Sequence, residues 1–280
     1  MNDNVKVYEP SNSNKNLFSI LRDMFTDLFS SKDLAYRLFI RDKKAEYSQS
    51  IFGVLWAFFT PLATTVTWIF LSASGAVKIQ ATHVPYPVYV FLGTMLWSVF
   101  VESVMTPLTQ TQNAKDILSK VNFPKEAILL SGLFKNGFNI TIKLILIAGM
   151  LIIYQVKIDS GIFLLPLLLL LLVFLGYSIG LLVTPIGMLY KDVSRALPLV
   201  FSFLMYLSPV VYKGGISGKM AKLIEINPLT PLINSARNVL TAYPVENPVY
   251  LACIFGVSLV LFFIGWMFYR VSVPIIIERM

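Results

Sequence analysis

Apolar and polar residues alternate along this chain on two different scales. Between Leu17 and Phe29, the residues Leu17, Ile20, Leu21, Met24, Phe25, Leu28 and Phe29 recur at helical spacing, with Arg22, Asp23, Thr26 and Asp27 opposite. That pattern predicts an amphipathic helix. It is too short, and too polar on one face, to cross a bilayer, so it is expected in the head-group plane or against a partner. Packing on the protein's own surface explains the pattern equally well. A second amphipathic piece runs from Leu34 to Ile40. From residue 51 the scale changes to long apolar runs. Crossing about 30 Å of hydrocarbon takes roughly 20 apolar residues. Six segments meet or approach that length: 51–73, 88–108, 138–156 with a start as early as 127, 162–189, 196–212 and 249–269. The expected fold is all-α and membrane-embedded. Residues 1–50 form an N-terminal tail with interface helices, 51–270 a six-span domain, and 271–280 a second tail.

Composition agrees with this reading. Hydrophobic residues make up 56% of the chain, charged residues 14%, and mean hydropathy is +0.71, well above an ordinary soluble domain. The formal charge of +8 would suggest nucleic acid in a soluble protein. Here the basic residues sit beside apolar runs, where anionic lipid head groups explain them, and no nucleic-acid partner is expected. If 1–50, 109–137, 190–195 and 270–280 share one side, that side holds sixteen Lys and Arg against six on the other. Both termini are then expected in the cytoplasm. Residues 1–16 are polar, so no cleavable signal peptide is expected. The single cysteine, Cys253, excludes an internal disulfide or a cysteine metal cluster.

Little in the chain equips it for catalysis, and no catalytic or metal site is expected. Gly214 to Met220 resembles a phosphate loop but has short spacing, and Met220 stands where Ser or Thr would hold Mg²⁺. The one histidine, His83, has no carboxylates or cysteines beside it. Asp192 and Arg195, in the segment Tyr190 to Arg195, read as a salt-bridged turn or a docking contact. Charges within spans are costly unless paired. Glu102 falls in the second span, while Lys135, Asn139 and Lys143 share one face of the third. Glu102 is therefore expected to face Lys135 or Lys143, although Lys143 could instead snorkel to a surface.

Two connecting segments stand out. Between spans two and three, Ile117, Leu118 and Val121 form an apolar patch on a short helix ended by Asn122 and Pro124. It suits insertion into a partner's groove or contact with lipid. Residues 213–248 carry Asn227-Pro228 and Thr230-Pro231 between apolar runs, as re-entrant helices at a pore mouth or a simple cap would.

Taken together, these motifs resemble one family. Arg41-Asp42 through Tyr47-Ser48-Gln49-Ser50, with Gly53, Trp56 and Pro61, resembles the entry to the first span of ABC-2 type permeases that export O-antigen, capsule or teichoic acid polysaccharides. Lys120-Val121-Asn122-Phe123-Pro124 resembles their coupling segment. Tyr190-Lys191-Asp192 resembles the turn between spans four and five, Ser208 to Tyr212 the end of span five, and Asn227-Pro228-Leu229 with Arg237 the re-entrant region. Glu46 departs from the pattern, since the family often carries a basic residue there.

The resemblance implies a homodimer of six-span subunits in the bacterial cytoplasmic (inner) membrane, paired with two separate ATPase subunits that bind ATP and Mg²⁺. This chain itself would carry no cofactor. The substrate class would be an undecaprenyl-linked polysaccharide, threaded through a pore between the two copies. Lys115, Asp116, Ile117, Leu118, Lys120, Val121, Phe123 and Pro124 would receive the ATPase's movement. Spans one and five would line the conduit, with Trp56, Phe58, Phe59, Phe201, Phe203 and Tyr206 as wall candidates. Arg41, Lys43, Lys44, Lys191 and Arg195 would attract the lipid's pyrophosphate, although positive-inside anchoring accounts for the same charges. Asn227, Pro228 and Arg237 would belong to an extracytoplasmic gate. Alternative functions are export of a small lipophilic compound and a membrane transferase acting on a lipid-linked sugar. The second would need clustered carboxylates or histidines.

Overall fold

The computed structural model describes residues 17–48, 52, 56–75, 82–121, 123–212 and 219–278. The glycine-rich segment 214–218, Asn122 and most of the approach to the first expected span lie outside these residues. Among the described residues the chain is helical. The two amphipathic runs become α1 (Leu17–Ser30) and α2 (Lys32–Ser48). The charged entry Arg41 to Ser48 thus continues α2.

Four elements have the length and apolarity to cross a membrane: α4 (Tyr86–Asn113), α6 (Glu126–Ile153), the 3-10 turn Ser160–Leu164 running into α7 (Leu165–Leu189), and α11 (Pro248–Glu278). The first and fifth expected spans are shorter. α3 (Trp56–Ala73) has its apolar part at Pro61–Ala73, and α8 (Lys191–Tyr206) contains Pro198. α5 (Lys115–Leu118), α9 (Lys219–Ile226) and α10 (Leu229–Leu240) complete the set. One expectation changes, and two are refined. Residues 191–195, read as a loop, form the first turns of α8 after the extended residue Tyr190. The third apolar run takes the early start that the sequence allowed, as one helix from Glu126. Residues 271–278, read as a tail, continue α11.

α4 is the central helix, buried along most of its length. α7 packs tightly along it because α7 presents glycine at the contact. A Cβ on Gly176 would lie 2.8 Å from Ser103 Cβ, and one on Gly187 2.8 Å from the Leu108 methyls. A Cβ on Gly180 would strike the Val104 carbonyl. Small residues let backbones approach closely where lipid supplies no hydrophobic drive for helices to associate. α11 meets the opposite face of α7, where Ser178 Oγ donates to the Ser258 carbonyl at 3.1 Å.

A polar seam joins α6 to α4. Thr106 Oγ1 donates to Asn136 Oδ1 at 3.0 Å, and Asn136 Nδ2 donates to Ser103 Oγ at 3.1 Å. α1 lies on α6 and α11 with Met24 buried among Leu129, Tyr177, Trp266 and Tyr269. Proline within α4, α7, α8 and α11 frees backbone carbonyls, which nearby hydroxyls and helices can satisfy. Separately, Thr111 Oγ1 donates back one turn to the Pro107 carbonyl at 2.7 Å, an ordinary hydroxyl-to-backbone bond within a helix.

Replacing Gly180 with Leu should force α7 off α4. The expected result is a lower melting temperature of the detergent-solubilised protein, with a cost of about 1–3 kcal/mol for overpacking. Gly256→Leu on α11, where a Cβ meets nothing within 4 Å, should leave the melting temperature within error.

Candidate functional site

The charges that the sequence places inside apolar helices form one connected chain of contacts. Lys143 Nζ on α6 lies 2.6 Å from Glu102 Oε1 on α4. The other Glu102 oxygen accepts from Asn139 Nδ2 at 3.3 Å, and Asn139 Oδ1 accepts from Lys43 Nζ at 3.1 Å. Lys43 also lies 3.5 Å from Glu46, and Glu46 lies 3.1 Å from Lys135. Glu102 is therefore paired with Lys143, while Lys135 goes to Glu46 on α2. This arrangement accounts for the acidic residue at position 46, which meets Lys135 across the α2–α6 contact. Lys43 is buried, with its ammonium 4.5 Å from the Phe138 ring centroid. Its partners are thus internal, whereas Arg41, Lys44, Lys191 and Arg195 are exposed. Arg41 forms a 2.6 Å ion pair with its neighbour Asp42.

A second ionic cluster joins three elements. Arg270 on α11 pairs with Glu126 at the start of α6 and, at 2.7 Å, with Asp27 on α1. Glu126 of this cluster stands just after the segment Lys115 to Pro124. Burial lowers the ammonium pKa of neighbouring Lys125 from its ordinary value, with Glu126 opposing. Within that segment, Ile117 and Leu118 are half-buried against Leu34, Leu38, Ala114, Phe123, Ala127 and Ile128. Ile117 and Leu118 are thus partly covered, by Leu34 and Leu38 of α2 and by Phe123, Ala127 and Ile128. Val121, Asp116 and Lys120 remain exposed, and Phe123 is buried.

The aromatic candidates divide. Trp56 and Phe59 on α3 form an exposed cluster with Phe52, the ring centroids 5.9 to 6.2 Å apart, while Phe58 is half-buried. Phe203 and Tyr206 are exposed on α8, and Tyr206 meets Trp68 of α3 at 6.0 Å. Phe201 instead turns inward onto Phe100. It lines an apolar cleft of about 410 Å³ between α4, α7, α8 and the Asn227–Leu229 turn.

At the other end of α8, Asn227 Nδ2 donates to the Leu207 carbonyl at 3.1 Å and to Ser208 Oγ at 2.9 Å. Its Oδ1 accepts from the Leu229 backbone at 3.0 Å, and Pro228 is exposed. Arg237 on α10 is fully buried. One guanidinium nitrogen donates to the Pro209 and Val210 carbonyls, each at 2.9 Å, with the group 3.8 Å above the Tyr89 ring centroid. Burial lowers the Arg237 pKa, opposed by Tyr89 and Glu246. Gly93 on α4 makes room, since a Cβ there would strike Arg237 and the Val210 carbonyl. Among the described residues, no three His, Cys, Asp or Glu side chains gather as a metal site would need.

Sequence reasoning did not single out Gly93, Gln112, Asn136, Tyr89 or Arg270. Gln112 and Asn136 carried a usable signal, because amides beside or within apolar runs need partners. The glycines carried none, since close approach depends on a distant segment.

Such a fold, several apolar helices holding internally paired charges, is that of a multi-pass membrane protein. Residues 34–241 match the model of the ABC-2 type transporter family, and the chain belongs to that family as a transport subunit. It is similar to an O-antigen export system permease protein, RfbA, from Klebsiella pneumoniae, with 24% identity over 235 residues, 83% of this chain and 89% of that one. A second K. pneumoniae protein of that name is 24% identical over 209 residues, 74% of this chain and 80% of its own. One from Myxococcus xanthus is 23% identical over 241 residues, 84% of this chain and 90% of its own.

Charge reversal tests the central ion pair. Glu102→Lys leaves buried Lys143 facing a second cation, and Glu102 is half-exposed, so the cost falls below the about 3–5 kcal/mol of a fully buried pair. Folded protein, read by size-exclusion chromatography of solubilised membranes, should fall sharply and recover when Lys143→Glu is added. Recovery failing would count against the pair.

Proposed function

We propose that this chain is the membrane subunit of an ATP-driven exporter that moves an undecaprenyl-linked polysaccharide across the bacterial cytoplasmic membrane. Two copies form the conduit, each with six crossings. α3 and α8 serve as the first and fifth, and both termini are cytoplasmic. Two separate ATPase subunits hold ATP and Mg²⁺. The observation that carries this reading is the match to three O-antigen export permeases along most of both chains.

The exposed apolar faces of α3 and α8 support it. Trp56, Phe59, Leu62, Val66 and Phe70 follow one side of α3, and Leu199, Phe203 and Tyr206 one side of α8. A second copy would cover part of these faces, and Trp56, Phe59, Phe203 and Tyr206 would offer rings for the C–H faces of a sliding sugar chain. Each such contact is weak, which suits a polymer that must not stick. Phe58 stands at the margin of that wall, and Phe201 supports it from behind through Phe100. Arg41, Lys44, Lys191 and Arg195 would meet the pyrophosphate at the cytoplasmic face. Val121, Lys120 and Asp116 are the exposed part of the ATPase-coupling surface, with Lys115, Ile117, Leu118, Phe123 and Pro124 holding it in shape. α9 and α10 dip back toward the membrane from outside, and Asn227, Pro228 and Arg237 fix the outer gate.

Deleting the chain from its host should remove polymer from the cell surface and accumulate lipid-linked polymer inside. Normal surface polymer with lost resistance to a lipophilic compound would favour small-compound export instead. Turnover of lipid-linked sugar by the purified chain without ATP would favour a transferase.

Capture at the entry is separable from anchoring. Arg41→Gln with Lys44→Gln should leave membrane insertion unchanged and reduce surface polymer several-fold, by immunoblot of intact cells. Normal export by the inserted variant would rule capture out.

A further inference from the structure

Gln112 lies in the last turn of α4, three residues before α5 opens the coupling segment. Its side-chain amide reaches across to the junction of α7 and α8. Nε2 donates to the Gly187 carbonyl at 3.2 Å and to Ser194 Oγ at 2.8 Å, and Ser194 Oγ donates to the same carbonyl at 3.2 Å. Gly187 is among the last four residues of α7, whose carbonyls lack partners further along that helix. The carbonyl can only accept, so the nitrogen of the amide must face it.

The contact spans a break. α7 stops at Leu189, Tyr190 is extended at φ −118° and ψ 106°, and α8 starts at Lys191. Gly187 stands on the α7 side of that break and Ser194 on the α8 side, so Gln112 holds both. Leu108, one turn earlier on α4, packs on Gly187 so closely that a Cβ there would meet its methyls at 2.8 Å. The approach that brings the amide within reach is therefore built into the α4–α7 contact. α8 itself buries only Phe201. Leu197, Leu204 and Met205 are half-buried against the core, and polar contacts hold the two ends of α8, from Asn227 beyond its C-terminus and from Gln112 at its start.

We propose that Gln112 is a positioning residue that passes movement of the ATPase-coupling segment to α8 through the Gly187 carbonyl and Ser194. This rests on the exporter reading above and adds to it the route by which ATP hydrolysis reaches the conduit wall. A displacement of α5 pulls on the last turn of α4. The amide then turns α8 about Tyr190, while Leu108 keeps α7 in place.

The test uses the whole transporter with its ATPase subunits. Gln112→Glu keeps the shape but sets a second acceptor against the Gly187 carbonyl. Hydrolysis of Mg-ATP by the purified variant should stay within about twofold of wild type, while surface polymer in cells falls about tenfold, an ordinary size for coupling between sites. Ser194→Ala should cost less, and the double variant no more than Gln112→Glu alone, because both groups act through one carbonyl. A spin label at Leu199→Cys, in a Cys253→Ala background, should shift on adding Mg-ATP in wild type and not in Gln112→Glu. Unchanged export, hydrolysis and export falling together, additive losses, or a label shift that persists in the variant would each overturn the proposal. Wild type that moves no polymer on ATP while its label still shifts overturns the exporter reading and leaves the coupling route standing.

Discussion

Between apolar helices in lipid there is little hydrophobic gain to hold one against another, so cohesion falls to dispersion at close range and to internal hydrogen bonds. The α4–α7 contact meets that requirement with three glycines, Gly176, Gly180 and Gly187, each placed where a side chain would collide with α4. Because that contact is tight, α4 is sheathed along most of its length and the other helices are referred to it. α6 joins it through Thr106, Asn136 and Ser103, and α10 through Arg237 beside Gly93. Thr111 hydrogen-bonds Tyr269 of α11 at 3.0 Å at its far end.

The second constraint is that charge within such a bundle must be answered. Lys143, Glu102, Asn139, Lys43, Glu46 and Lys135 answer one another in sequence, drawing α2 onto α6 as they do so. The basic stretch at the end of α2 therefore has two parts with different work. Lys43 faces inward and fastens α2, while Arg41 and Lys44 face out. Arg270 performs the same fastening for α1, through Asp27 and Glu126. Ion pairs of this kind are costly to break singly even where their net contribution to stability is small.

Against this rigid frame, α3 and α8 are weakly held along their outer faces, and their exposed aromatic residues reflect it. A transport subunit needs that division. Under the proposed function the core would resist deformation while the helices beside the path respond to a distant event; α8 packs Phe201, Leu197, Leu204 and Met205 on the core and has polar contacts at its two ends. Side-chain hydrogen bonds of this sort can rearrange at lower cost than a close-packed core can be opened.

Periodicity determined much of this protein directly. The amphipathic spacing from Leu17, the long apolar runs and the isolated charges Glu102 and Lys143 are local properties, and local properties are written in sequence order. The ordered motifs from Arg41 to Arg237 carried the family in the same way. What the sequence left open was every choice among distant partners. Lys135 and Lys143 lie two turns apart on one helix face, so spacing alone could not tell which would meet Glu102, and only the offset of α4 against α6 sends Lys135 to Glu46. Helicity at Lys191 to Arg195 and beyond Tyr269 was likewise hidden, because polar residues at a helix end read like a loop until packing extends the helix. Phe201 and Phe203 are two residues apart and chemically alike, yet one enters the core and the other faces out. Hydrophobicity measures the tendency to leave water, whereas the direction a side chain takes depends on which neighbouring helix occupies the space beside it, and that is decided only in the assembled bundle.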